Sequence, residues 1–80
     1  MPDTITIPAE TARHVLWQYG ADGGYAPGTF TQHLLSAFAT ADLINKAKLG
    51  IVFPELGAAV HLAEYDRDGI NKLRQIAGAA

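Results

Sequence analysis

Tyr25-Ala-Pro-Gly-Thr-Phe-Thr-Gln-His-Leu-Leu-Ser-Ala-Phe-Ala-Thr-Ala-Asp42 reads as a turn, a helix start and then the most apolar helical stretch of the chain. Pro27-Gly28 is a turn dipeptide, because proline presets φ and glycine supplies conformations other residues avoid. Thr29 fits an N-cap, with Gln32 three residues on to bond the cap's own N–H in a capping box. Phe30, Leu34, Ala37 and Ala41 recur at helical spacing, and Leu35 and Phe38 widen the stripe. A helix apolar over that much of its surface is expected in the middle of a bundle.

Working outward, the N-terminal side begins with Thr4-Ile5-Thr6-Ile7, whose alternation has the period of a strand. No second strand candidate exists in this sequence for it to pair with, so residues 1–7 are expected to form an extended arm whose isoleucines pack on a helix, with pairing to another copy as the alternative. Pro8 and Glu10 suit the first turn of a helix. That helix carries Ala12, Val15, Leu16 and Tyr19 on one side, with Arg13, His14 and Gln18 opposite, and ends at Gly20. Residues 20–28 hold four glycines and a proline and form a loop, with Tyr25 either a lid over the core or an exposed contact.

On the C-terminal side, Asp42 offers an N-cap to a helix with Leu43, Ile44, Ala47 and Ile51 spaced for burial. Gly50 is its natural stop. Pro54 pushes Phe53 out of the α region and opens a fourth helix, with Leu56, Ala59, Val60 and Ala63 inward. Asp68 caps a fifth, which buries Ile70, Leu73, Ile76 and Ala77 and turns Lys72 and Arg74 outward. The fold class is therefore all-α: a single domain over residues 1–80, built as a compact orthogonal bundle of about five short helices, with residues 78–80 frayed.

Eighty residues support one core that buries roughly 60–65% of the unfolded surface. With no cysteine there is neither a disulfide nor a structural zinc finger to reinforce it, which fits a reducing cytoplasm. No apolar run approaches the roughly 20 residues of a membrane span, and the N-terminal residues lack the pattern of a signal peptide. The net charge is −2. Residues 1–42 hold Arg13 against four carboxylates, and residues 43–80 hold five cations against four carboxylates, so the basic half exceeds neutrality by one charge. A nucleic-acid binder concentrates far more positive charge on one face.

Catalytic and metal chemistry finds little footing. His14, His33 and His61 fall on three helices without the close ligand spacing of a zinc site, and surface positions are expected for them. Ser36 lies mid-helix without a nucleophile elbow. Asp66 and Asp68 sit at a helix start, where capping accounts for both. Asp66-Arg67-Asp68-Gly69 lacks the further acidic ligands of a calcium loop, and the glycines of residues 20–28 lack the Gly-Lys-Ser/Thr ending of a phosphate loop. We therefore expect no enzyme, no metal and no cofactor.

The residues Gly28-Thr29-Phe30-Thr31, Leu34-Leu35, Ala41-Asp42, Asn45, Leu49 and Phe53-Pro54 form a pattern that resembles small uncharacterised proteins encoded by phages of actinobacteria. The resemblance covers roughly residues 24–62, and most of its positions are caps and core. It carries over no activity. It implies a context, a phage accessory protein acting in the cytoplasm of a bacterial host.

Two functions compete on the residues themselves. Val, Ile, Leu, Met, Phe, Trp and Tyr number 25 of 80, more than so small a domain can enclose. Trp17, Val52, Phe53 and Leu62 sit at helix margins or corners, where large apolar groups anchor interfaces, and Tyr25 sits in the 20–28 loop. A protein-interaction surface of Trp17, Tyr25, Phe53 and Leu62, with His33 as polar neighbour, is expected to bind a host protein or a second copy. The alternative is a helix-turn-helix that contacts DNA through Asn45, Lys46, Lys48, Lys72 and Arg74. Against it, Asp42 at the start of the recognition helix repels phosphate. A structural role in the virion is a third class.

Overall fold

A computed structural model describes residues 6–78. Among them it shows five helices and no strand: α1 (Ala9–Gln18), α2 (Thr29–Thr40), α3 (Leu43–Val52), α4 (Pro54–Tyr65) and α5 (Gly69–Ile76). The all-α reading holds. Most of the arm, residues 1–5, and the last two residues of the tail lie outside the described part, while Ile7 packs against the core.

Local signals set most helix ends. The Pro8 carbonyl accepts from Ala12 N–H at 3.1 Å to start α1. Gly20, at φ +69°, stops it. Gly20 N–H donates to Trp17 O and Ala21 N–H to Leu16 O, the two bonds of a Schellman motif. Asp42 caps α3, its Oδ1 accepting from Asn45 N–H at 2.8 Å. Phe53 sits at φ −125°, ψ 70°, displaced from the helical region by Pro54, which begins α4.

Four local expectations need correction. The capping box at α2 does not form: Gly28 is the N-cap, and Gln32 Nε2 donates to the Pro27 carbonyl at 2.8 Å, tying the helix to its preceding turn. Gly50 does not end α3, which continues to Val52. A Cβ on Gly57 would lie 3.0 Å from the Cα of Gly50, so these two glycines let α3 and α4 approach closely. Asp68 occupies the N-cap of α5, but its carboxylate accepts from Asn71 Nδ2 at 2.9 Å and bonds no helix N–H. His14 is not on an outer face: its side chain is largely covered, with the Tyr25 ring edge-on at 5.4 Å.

The centre of the bundle is α4, not α2. Helices α1, α2, α3 and α5 all pack on α4. Gly57, Ala58, Ala59 and Ala63 leave its surface low on several sides, so neighbours can approach all round. Helix α2 buries only Leu35 and Phe38, and its Phe30 is 69% exposed. The core joins Val15 and Leu16 of α1, Leu35 and Phe38 of α2, Leu56 and Val60 of α4, and Leu73 of α5. Each such side chain contributes about 1.5–3 kcal/mol on burial. Helix α3 supplies no buried residue, only the partly covered Leu49.

Candidate interaction surface

Asp42 fixes where α3 starts, and that sets which of its sides meets the protein. Leu49 and Gly50 face the bundle together with Lys46, whose ammonium bonds Glu64 Oε1 on α4. Lys46 Nζ also lies 3.3 Å from Tyr65 Oη and 5.3 Å from the centre of that ring, a cation–π contact. The other Glu64 oxygen accepts from Oη of Tyr19, the residue that closes α1, at 2.5 Å. One carboxylate thus ties α3 and α1 to α4.

The charges in this cluster respond to one another. The hydrogen bond to Glu64 raises the pKa of Lys46. Burial alone would push Glu64 upward, but the hydrogen bonds from Lys46 and Tyr19 outweigh it and leave the carboxyl below its usual range. Burial, reinforced by the hydrogen bond to Glu64, raises the Tyr19 phenol well above its ordinary value. The cluster is a lysine–carboxylate pair held by a neutral tyrosine across the working pH range.

With that side turned inward, the apolar stripe of α3 faces solvent. Leu43 is 73% exposed, Ile44 70%, Ile51 81% and Val52 67%. Leu43, Ile44, Ala47 and Ile51 are the residues spaced for burial, and the structure corrects the expectation that this chain buries them: all four are exposed. Among the described residues, eight large apolar side chains are exposed, and α3 carries four of them, so the patch belongs to this helix. Clefts flank α3 on both sides. A cleft of about 480 Å³ separates it from α4, with Phe38, Gly57 and Val60 among its walls and His61 and Tyr65 at its polar end. Another of about 430 Å³ lies towards α2, beside Thr40, Asn45 and Lys48. Helix α3 is a ridge between two grooves.

The five residues anticipated as one surface have different settings. Trp17 is 38% exposed and Tyr25 47%, the latter leaning on His14. Gly24 lies so close to α1 that a Cβ there would meet the Arg13 carbonyl at 2.3 Å, which seats the loop against that helix. Phe53 and Leu62 are partly covered by the core, and the Phe53 ring lies 6.4 Å from that of Phe30. His33 is exposed on α2. Sequence reasoning missed Leu43, Ile44 and Ile51 as surface groups. Their spacing shows that the face needs covering but not by which molecule. The signal available was Lys46, which shares α3 with them and needs a carboxylate on its own side.

The residues of the DNA alternative are mostly engaged within the fold. Lys46 is held by Glu64, and Lys72 pairs with Asp66 at 2.7 Å. Arg74 Nε donates to the Asp22 carbonyl at 3.1 Å. Asn45 and Lys48 are exposed. Among the described residues no three His, Asp or Glu side chains gather to hold a metal, and no helix is long and apolar enough to cross a membrane. No protein-family model, curated protein or solved structure matches the chain.

Proposed function

We propose that this protein works by binding another protein, without catalysis, and that the outward stripe of α3 is its contact surface. The observation that carries the reading is that Leu43, Ile44, Ile51 and Val52 are each at least two-thirds exposed on a helix that buries nothing. The largest apolar patch on a monomer is often functional, and these four side chains gather on one helix. The pairing of Lys46 and Lys72 with carboxylates favours a protein over DNA, because phosphate would have to compete with Glu64 and Asp66 for them. The phage resemblance over residues 24–62 gives the setting: a phage accessory protein in a bacterial cytoplasm, whose partner is a host factor or a second copy of itself.

The reading is tested by affinity capture from bacterial lysate with the wild type and with Ile51→Glu. Ile51 is 81% exposed, so the substitution leaves the fold intact, which circular dichroism verifies. We expect companions retained by the wild type to be lost from the variant. Companions retained equally by both would reject α3 as the contact surface.

A further inference from the structure

We infer that the cleft between α3 and α4 is a binding site for a small uncharged aromatic compound carrying one hydrogen-bond acceptor, such as an aryl ketone. The inference goes beyond the protein-interaction reading and does not rest on it. Its first support is the shape of the cleft. Pro54 and Tyr65, the first and last residues of α4, both line it, so it runs the length of that helix, about 18 Å. That is room for a two-ring molecule, and the volume of about 480 Å³ falls in the range of small-molecule sites. A Cβ on Gly57 would stand 3.0 Å from the Cα of Gly50 and 3.6 Å from the Phe38 ring. The bare backbone at these two glycines therefore brings the cleft down to that ring.

The second support is the chemistry of the lining. Phe38 and Val60 are its deepest members, both 2% exposed. At the far end the rings of His61 and Tyr65 lie 5.1 Å apart. Aromatic groups at both places favour a planar aromatic ligand, which meets them by stacking or edge contact. The polar groups at that end have donors to spare. Both Glu64 oxygens are engaged, one by Lys46 and the other by Tyr19. The Lys46 ammonium has three protons and turns two of them to Glu64 and Tyr65. Tyr65 Oη accepts from Lys46, which leaves its own proton to donate. These donors call for an acceptor, and the charge of Lys46 is already balanced by Glu64. A carboxylate on the ligand would come up against Glu64, and an ammonium would find Glu64 taken, so a neutral acceptor fits best. The cleft towards α2 has no aromatic ring in its lining and offers no such match.

Three indoles of similar size separate the requirements: 3-acetylindole has an uncharged acceptor, indole-3-carboxylate an anionic one, and 3-methylindole none. Each is titrated into the isotope-labelled full chain and followed by its amide chemical shifts. The inference expects saturable shifts with 3-acetylindole at Ala47, Gly50, Gly57, His61 and Tyr65, and a Kd at least about fivefold below those of the other two. Tyr65→Phe keeps the ring and removes the donor, at a residue 55% exposed. It should weaken 3-acetylindole about fivefold and leave 3-methylindole unchanged. Ile51→Glu, outside the lining of this cleft, should bind like the wild type, so failure here and failure of the α3 contact surface are read separately. No saturable shift, shifts centred outside the cleft, equal affinity for all three indoles, or tightest binding of the carboxylate would each overturn the site.

Discussion

Glu64 is the residue on which three helices depend, and its position makes the molecule sensitive to pH at both ends of the scale. Its carboxyl is held below the usual value, so its contribution is full above the unfolded pKa of about 4.3 and is lost as the pH falls through the lower folded value. Asp66, lowered by the Lys72 ammonium and then by the Asp68 N–H, acts in the same direction. Lys46 and Tyr19 are raised, so their contribution is full below about pH 10 and disappears as the pH climbs through their folded values. Denaturant titrations at several pH values should therefore show stability falling below about pH 4.5 and above about pH 10. In Glu64→Gln the acid slope should shrink to what Asp66 leaves. Gly69 is a different kind of constraint. A Cβ there would lie 1.7 Å from the Leu62 carbonyl oxygen, against backbone that cannot move aside. Gly69→Ala should cost roughly 3 kcal/mol or more in the same titration, at the severe end for overpacking.

Among the helices, α3 is the one held by polar contacts instead of a buried face. Its Asp42 cap is accordingly a large share of what keeps it formed, and Asp42→Ala should remove about 1 kcal/mol. Hydrogen exchange should register this as roughly fivefold faster exchange of α3 amides while those of α1 and α4 change little. Features set within a few residues were legible in the sequence: the Asp42 cap, the Gly20 stop and the Pro54 start each rest on near neighbours. Gly50 was misread because its purpose is to meet Gly57 on another helix, which no local pattern records. The prominence given to α2 failed for a related reason. Apolar content marks a helix as needing cover, but small residues such as Gly57 and Ala59 decide which helix others can gather around. The candidate site was half legible: an excess of apolar side chains could be counted, whereas their outward placement follows from Lys46 reaching Glu64 across 18 positions.

For the molecule as a whole, size sets the margin. A chain of 80 residues has a stability on the order of 4–12 kcal/mol, so covering the α3 stripe adds a substantial fraction. Association that occurs only in the folded state makes the melting temperature depend on concentration. Where the partner on α3 is a second copy, thermal scans should therefore shift upward with protein concentration in the wild type. The shift should vanish in Ile44→Glu, and a concentration-independent wild-type melt would leave the host factor as the partner.

The guanidinium of Arg13 in α1 donates to the carbonyl of Ala77 at 2.8 Å, joining groups 64 positions apart. Helix α1 also lies against both α4 and α5. During synthesis at about 5–20 residues per second, α1 therefore waits roughly 3–13 s after its own translation before its last neighbour is made. Through that interval Val15 and Leu16 have no finished core to enter, and a nascent-chain chaperone has its opportunity there.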